Sequence, residues 1–567
     1  MKKSIIFVIS YLLVGIMTNV KAQSVTPDKT GMNMNALDWT KEIVMGWNLG
    51  NSFECPTSET DWGNPKTTKD MIHKVKEAGF NGIRIPVRWA PHVTNTQTMN
   101  IDATWIARVK EVVDWCLAED MYVIINDHHE EWYDRNPYYN KQAENNRKLS
   151  AMWTSVATYF RDYGERLMFA GSNEITVNWG APTAEQQAVQ NSYNQTFVNA
   201  VRATGGKNYY RNLIVQTFAC NPYHGLSGFT IPQDQVENRL SVEFHYYDPY
   251  QYAGSCEYYY WGNAYKDKGK IVTNDTEVTQ ANLFDRIRKT WASKGLGIVI
   301  GEYGVTNHYT EADKQTQQEN MQYYLKTLVG NARQRGFAAF AWDNNGFNNG
   351  SENYGIFKRG QNMAVGNTFF LTGIRQGSME KYQEPDDSDN PDDDDQQSIE
   401  GEKVIWEGSE WLDWGNSLQL NIPAKEFANH DNTLQVILYY TQEYSDYDQI
   451  QIFYGDWSKM VPFDIKGYTY DGAFAPSQLF ATGTGESHVT RISFGVNEFN
   501  IIQQKGIIIQ GHGIRLKKVS LYSPSEASVQ NIYHDSVKHQ IYSIDGKLIN
   551  NPIIGQIYIK EGKKYIE

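Results

Sequence analysis

From about residue 40 to 345 the chain repeats one pattern. A short run that is apolar at almost every position is followed by a polar break, then by a stretch with apolar residues three and four apart. The runs lie at 43–49, 82–87, 122–126, 167–172, 213–218, 240–245, 297–301 and 337–342. Each is rich in Ile, Val, Phe or Met and shows no polar face, the texture of strands buried on both sides of a parallel sheet. The intervening stretches read as helices. Between Thr68 and Ala78, residues Met71, Ile72, Val75 and Ala78 share one face, and Gly79 stops the run. From Asp102 to Asp120 a stripe of Ile106, Val109, Val112, Val113 and Leu117 does the same. Eight strands alternating with helices predict an α/β fold, a (β/α)₈ TIM barrel. An open doubly wound sheet is the alternative, and the Gly-rich dinucleotide turn that would favour it does not follow the first strand.

After about residue 376 the texture changes. Residues 384–395 hold eight acidic side chains and two prolines, a self-repelling linker. Beyond it the helical period fades, and the runs at 434–440, 450–454, 489–494, 506–510 and 514–522 predict an all-β sandwich. Near the C-terminus, 541–547 and 555–564 read as two hairpins around Asp545-Gly546 and Glu561-Gly562. The N-terminus has Lys2 and Lys3 before an apolar run from Ile5 to Met17, then Val20-Lys21-Ala22, the layout of a secretory signal peptide cleaved after Ala22. The predicted organisation is therefore a signal peptide over 1–22, a barrel over 23–376, an acidic linker over 377–400, a sandwich over 401–523 and a small β tail over 524–567. This layout implies a secreted bacterial protein with no membrane span.

The 567 residues suit several domains, and 40% hydrophobic content suits globular ones. The formal net charge is -14, and more than half of it is the linker, so the folded parts carry no strong field. Nucleic acid, which wants a basic face, is excluded as a partner. A monomer is the default. The four cysteines are Cys55, Cys116, Cys220 and Cys256. Cys116 falls within a helix and reads as a buried thiol. Cys220 and Cys256 lie in adjacent loops and form the one pair worth considering for a disulfide. No cysteine spacing suggests zinc.

In such a barrel the chemistry gathers at the C-terminal ends of the strands. There stand Asn48, Arg84, Asp127-His128-His129-Glu130-Glu131, Asn173-Glu174, His245-Tyr246-Tyr247, Glu302-Tyr303 and Trp342-Asp343. Glu174 and Glu302 are two isolated carboxylates ending the fourth and seventh strands. Retaining glycoside hydrolysis needs one carboxylic acid to protonate the leaving oxygen and one carboxylate to attack the anomeric carbon, about 5–5.5 Å apart. Arg84 would keep the nucleophile ionised, Tyr247 would hydrogen-bond it, and His245 would orient the acid. Asn173 is placed for the 2-hydroxyl of the reacting sugar, and Trp342 for its floor. His128 and His129, neighbours on a strand, should point to opposite faces, against a metal pair. Trp47, Trp89 and Trp153 read as packing. Trp132 and Trp179, just past catalytic strand ends, are candidate sugar platforms, as is Trp261 in an aromatic loop.

These motifs resemble glycoside hydrolase family five, the cellulase family. The resemblance is carried by Gly46-Trp-Asn-Leu-Gly-Asn51, Gly79-Phe-Asn-Gly-Ile-Arg-Ile-Pro-Val-Arg-Trp89, Val123-Ile-Ile-Asn-Asp-His-His-Glu130, Asn173-Glu174, His245-Tyr-Tyr-Asp-Pro-Tyr250, Ile300-Gly-Glu-Tyr-Gly304 and Ala341-Trp342. The opening motif, the His-His-Glu and the His-Tyr-Tyr-Asp-Pro-Tyr are most similar to the endo-β-1,4-glucanase and xyloglucanase subfamily. The resemblance implies a retaining endo-acting enzyme without metal or cofactor, Glu174 as acid/base and Glu302 as nucleophile. It implies that Arg84, His128, Asn173, His245, Tyr247 and Trp342 complete the active site. From their place at the strand ends alone, His129, Asn48, Trp132 and Trp179 are expected as further substrate contacts. The substrate class is a plant-type β-glucan: cellulose, xyloglucan or mixed-linkage glucan. A β-mannanase and a catalytically inactive glycan-binding protein are the alternatives. The latter is motivated by Ser172 and Ile175, which replace the family's usual Leu or Met before Asn-Glu and Pro after it. The predicted sandwich resembles carbohydrate-binding modules, with Trp406, Trp411, Trp414 and Trp457 as its aromatics. The final segment is similar to sorting tails of secreted bacterial proteins.

Overall fold

The computed structural model describes residues 25–272, 275–384, 402–414, 418–442, 448–465, 468–476, 487–523 and the strand residues between 541 and 566. The leader expected over 1–22 and most of the acidic linker lie outside the described residues. The chain forms two compact units. One comprises residues to 256, 294–326 and 336–378, and the other comprises 257–293, 327–335 and 379 onward.

The first unit contains a closed barrel of eight parallel strands. They are β1 (Gly46–Asn48), β2 (Gly82–Ile85), β3 (Tyr122–Asn126), β4 (Leu167–Ala170), β5 (Leu213–Gln216), β6 (Leu240–Tyr246), β7 (Gly297–Tyr303) and β8 (Ala338–Ala341). Each strand pairs with its neighbour in sequence, and β1 pairs with β8 to close the ring. Every residue of these eight strands is buried, as their uniformly apolar runs require. Trp39, from the short helix Ala36–Glu42, packs with Ile43, Ile124, Met168, Ile214, Val299 and Phe340 in one apolar cluster. Helices connect the strands and start where side chains cap them. Thr68 accepts from the Met71 amide ahead of Lys69–Glu77, and Asp102 accepts from the Thr104 and Trp105 amides ahead of Ala103–Ala118. The stripe expected on the latter helix is buried except at Leu117, where Cys116 takes the inner position.

One irregularity shapes the site. Along β6 and β7, Phe244 pairs with Ile300 and His245 with Glu302, so Gly301 is an extra residue in the ladder. Such a bulge bends a strand and re-aims the side chains beyond it.

The second unit is sheet-rich and antiparallel in its C-terminal part. The strand Ile507–Tyr522 is the spine of a seven-stranded sheet. It pairs with Lys403–Asp413, Leu420–Ile422, Gln435–Gln442 and Gln449–Tyr454. Phe463–Ile465 and Tyr468–Tyr470 form a separate ribbon. One element departs from the all-β expectation: Val496–Lys505 is a helix. Its Phe499 and Ile502 sit in the sheet's core with Phe427, Ile452 and Ile507. Its apolar residues Val496, Phe499, Ile501 and Ile502 span barely two helical turns, too short a stretch for the helical period to stand out. Strands Ile541–Ser543 and Leu548–Ile549, and Ile557–Lys560 and Lys563–Ile566, pair antiparallel as the two hairpins expected, with their turns outside the described residues. No helix among the described residues is long and apolar enough to cross a membrane.

Candidate active site

The strand ends bring most of the sequence-predicted residues into one hydrogen-bonded cluster. Arg84 is at its centre and is fully buried. Its Nη1 donates to Asn48 Oδ1 and to Glu302 Oε1, each at 3.0 Å. Its Nη2 donates to Asn173 Oδ1 at 2.7 Å and lies 3.1 Å from Glu243 Oε1. Tyr247 donates to Glu302 Oε2 at 3.1 Å. His245 places Nδ1 2.8 Å from Glu174 Oε1 and 3.7 Å from Glu302 Oε2. Carboxylate oxygens of Glu174 and Glu302 and a ring nitrogen of His245 lie within 4.8 Å of one another. The Glu174 side chain is 25% exposed and that of Glu302 8%, so Glu174 is the more open of the two.

Burial pushes the Glu302 carboxyl up, and His245 and Arg84 beside it pull it down, while Glu174 adds a like charge. On balance burial raises Glu302, and its two hydrogen-bond donors, Arg84 and Tyr247, work the other way by favouring the charged form. Burial works against a charge on His245, but Cys220, Glu302 and Glu174 around it raise the imidazole well above the usual histidine range. A group of donors this convergent invites a cation, yet the Arg84 guanidinium 3.0 Å from Glu302 already fills that electrostatic role.

His128 is buried, and desolvation keeps it neutral. Asn126 Oδ1 accepts from the Val87 amide, which turns its Nδ2 toward His128 Nδ1 at 3.0 Å. Asn173 Nδ2 faces the other ring nitrogen, Nε2, at 3.3 Å, so two amide donors flank a neutral ring that accepts from one of them. The His128 ring stacks nearly parallel to Trp342, centroids 6.3 Å apart. His129 departs from the expected opposite facing. It lies past the end of β3 with a left-handed φ of 57°, which swings its ring to 4.4 Å from that of His128. Burial lowers it to about 4.

Other expectations divide. Asn48 is fully buried, and its Nδ2 donates to the Gly301 and Phe340 carbonyls, so both ends of its amide are engaged within the protein. Trp179 is 58% exposed, with the Arg135 guanidinium 5.3 Å from its ring centre. Trp132 is half-buried, donates to Glu130 and carries Lys148 over its ring. Trp47, Trp89 and Trp153 are buried, as expected. Trp261 is buried too, with Nε1 toward Asp275, so it offers no platform. Cys220 and Cys256 are not bonded, and all four cysteines are free thiols. Ser172, one of the two departures from the family pattern, is buried and donates through both its amide and its hydroxyl to Gln216 Oε1. Ile175 is buried as well.

Sequence reasoning missed Glu243 and Gln216. The signal was present: Glu243 is two residues before His245 on β6, so both face the barrel interior, and a charge inside Leu240-Ser-Val-Glu-Phe-His245 needs a partner.

A closed parallel barrel with two carboxylates this near each other at its C-terminal rim defines a glycoside hydrolase. The family profile of cellulase (glycosyl hydrolase family 5) matches residues 48–348. The chain is 35% identical over 343 residues to endoglucanase B of Clostridium cellulovorans, covering 58% of this chain and 73% of that one. It is 36% identical over 335 residues to the cellulase/esterase CelE of Acetivibrio thermocellus, covering 58% of this chain but only 39% of that one. Among solved structures, a family 5 xyloglucanase of Bacteroides ovatus in complex with a XXXG heptasaccharide superposes with a TM-score of 0.59 at 31% identity, covering 63% of this chain and 79% of that one. The chain belongs to glycoside hydrolase family 5.

Proposed function

We propose that this chain is a retaining endo-β-1,4-glucanase acting on a plant-type β-glucan, with Glu302 as nucleophile and Glu174 as acid/base. The observation that carries the reading is the short separation of the two carboxylates, within 4.8 Å, which leaves no room for a water between nucleophile and sugar. Glu302 attacks the anomeric carbon while Glu174 protonates the departing glycosidic oxygen. A glycosyl ester forms on Glu302, and Glu174, now ionised, takes a proton from the water that hydrolyses it. Arg84 and Tyr247 hold Glu302 in its charged form and in line. Asn173, held by Arg84, is positioned toward the 2-hydroxyl, and Trp342 supplies an apolar floor beside His128. Trp179 is the better of the two expected platforms because more of its ring is open.

Both altered positions beside the acid/base are packed and satisfied, which supports activity over the glycan-binding alternative. The names of the relatives, endoglucanase and xyloglucanase, favour glucan over mannan and put xyloglucan first among the glucans to try. We also propose that residues 1–22 direct secretion and that the antiparallel sheet over 401–523 is a carbohydrate-binding module. A module tethered this way would raise enzyme concentration on an insoluble polymer. The test is reducing-sugar release by the mature chain on xyloglucan, mixed-linkage glucan, carboxymethylcellulose and glucomannan, beside Glu302→Gln and Glu174→Gln. Release on a glucan, absent in both variants, is expected. Full activity in either variant would overturn the assignment of its role, and glucomannan as the preferred polymer would overturn the glucan reading.

A further inference from the structure

We infer that Glu243 is a positioning residue for the reaction, a third carboxylate beneath the rim that seats Arg84 and His245 against the two rim glutamates. The inference rests on the roles proposed for Glu174 and Glu302.

Glu243 is fully buried on β6. Its Oε1 lies 3.1 Å from Arg84 Nη2 and 3.4 Å from His245 Nε2. Its Oε2 accepts from Gln216 Nε2 at 2.9 Å. Gln216 is fixed in turn by the Ser172 amide and hydroxyl at 3.0 and 3.1 Å. The chain Ser172–Gln216–Glu243 thus runs from the residue just before Asn173-Glu174 to the two cations that face Glu302. It gives the unusual serine a task, since an aliphatic side chain there offers no hydroxyl to Gln216.

Room for this carboxylate is built into the backbone. A Cβ on Gly301, the extra residue of the β7 bulge, would sit 1.9 Å from Glu243 Oε1. Only glycine at 301 leaves room for the Glu243 carboxylate where it lies. The charge count explains why a carboxylate is useful there. Arg84 and a protonated His245 bring two positive charges, and Glu302 balances one. Glu243 balances the other. His245 is faced by Glu174 from the β4 end, Glu302 from β7, Glu243 from its own strand, the Cys220 thiol beyond β5, and the cationic Arg84 and neutral His128 from β2 and β3. Burial pushes the Cys220 thiol up to about 12, which leaves it neutral at pH 7, and the carboxylates within reach of the ring are Glu174, Glu302 and Glu243. Burial works against a charge on Glu243, but Arg84, His245 and Gln216 hold its carboxyl below the usual range.

The experiment compares the full mature chain with Glu243→Gln, which keeps shape and removes charge. Two readouts are taken: kcat and KM on the glucan the parent degrades, and the ring ¹⁵N shifts of His245 against pH, assigned by their loss in His245→Asn. The expected result is a kcat lower by about tenfold or more, with KM within about threefold. The His245 titration should move down by roughly one pH unit or more, because a carboxylate at hydrogen-bond distance is gone. A folded Glu243→Gln with unchanged kcat and an unchanged His245 titration would overturn the inference. Should that variant not fold, the parent decides: His245 doubly protonated at pH 7 supports the inference, and a neutral ring overturns it. Glu302→Gln and Glu174→Gln run alongside. If they are inactive while Glu243→Gln matches the parent, this inference alone fails; if either stays active, the reading of the site fails.

Discussion

The Gly301→Ala substitution adds one methyl at the point where the two strands carrying His245 and Glu302 lose register. Its φ is not in the left-handed region, so alanine meets no backbone penalty there, and any effect is one of space. The new Cβ would meet Glu243 Oε1 at 1.9 Å, Cδ at 2.6 Å and Cγ at 2.9 Å. Ordinary carbon–oxygen contact is near 3.4 Å, so one partner must retreat by about 1.5 Å. If the carboxylate yields, its bonds to Arg84, His245 and Gln216 stretch beyond hydrogen-bonding range. Breaking a buried charge pair costs about 3–5 kcal/mol. At roughly 2 °C per kcal/mol for a domain of this size, the melting temperature falls by roughly 6–10 °C. If the strand yields instead, Glu302 is displaced, and a misplacement of about 1 Å costs roughly 100-fold in rate. Either route shows in a thermal melt read beside kcat/KM on soluble glucan. Glu243→Ala removes the clash, so Gly301→Ala added to it should be milder than the sum of the singles, with a coupling of about 1–3 kcal/mol. Melting within about 1 °C of the parent, together with more than about half its rate, would refute the steric argument.

Three further outcomes are expected. Burial pushes the Glu54 carboxyl up to about 7, against the Ser52 and Asn51 amides and Arg359. Its contribution to stability is present in full below pH about 4.5 and is lost as the pH rises through about 7, a change of about 3 kcal/mol. Urea midpoints at pH 4.5 and 7.5 should therefore differ more for the parent than for Glu54→Gln, and equal differences would refute the account. Arg211 is fully buried and donates to the carbonyls of Gly164, Leu167, Phe160, Arg161 and Tyr163 and to Asn208 Oδ1. Arg211→Met leaves these acceptors unpaired and should cost about 3 kcal/mol or more by denaturant unfolding, whereas a loss below about 1 kcal/mol would show that water replaces the guanidinium. Finally, intact-mass measurement after alkylation in denaturant without reductant should find four modified cysteines, and a mass two adducts short would reveal a disulfide.

The barrel was legible because strands buried on both sides leave a continuous apolar run, and all eight observed strands fall within or against the expected runs. The rim was legible because polar residues at those strand ends have no apolar reason to be there. What escaped depends on backbone detail that periodicity does not carry. The bulge at Gly301 changes which side chains face inward, and the left-handed turn at His129 breaks the alternation expected of a strand. Glu243 escaped because a charge inside an apolar run is meaningful only once its partners from β2 and β5 are known. Trp261 shows the reverse error: an aromatic in a long loop reads as a platform, yet it is buried with its indole nitrogen toward Asp275.

The Arg84 guanidinium contacts side chains from β1, β6 and β7 and Asn173, three residues past β4, so one side chain from β2 links segments far apart in the sequence. Neither end of the barrel sequence can complete this cluster alone, because Asn48 and Arg84 come from its first quarter and Glu302 from its last. Turnover is thus a proxy for ring closure. A chain cleaved between β4 and β5 would yield two silent halves, and the rate regained on mixing them would count reassembled barrels.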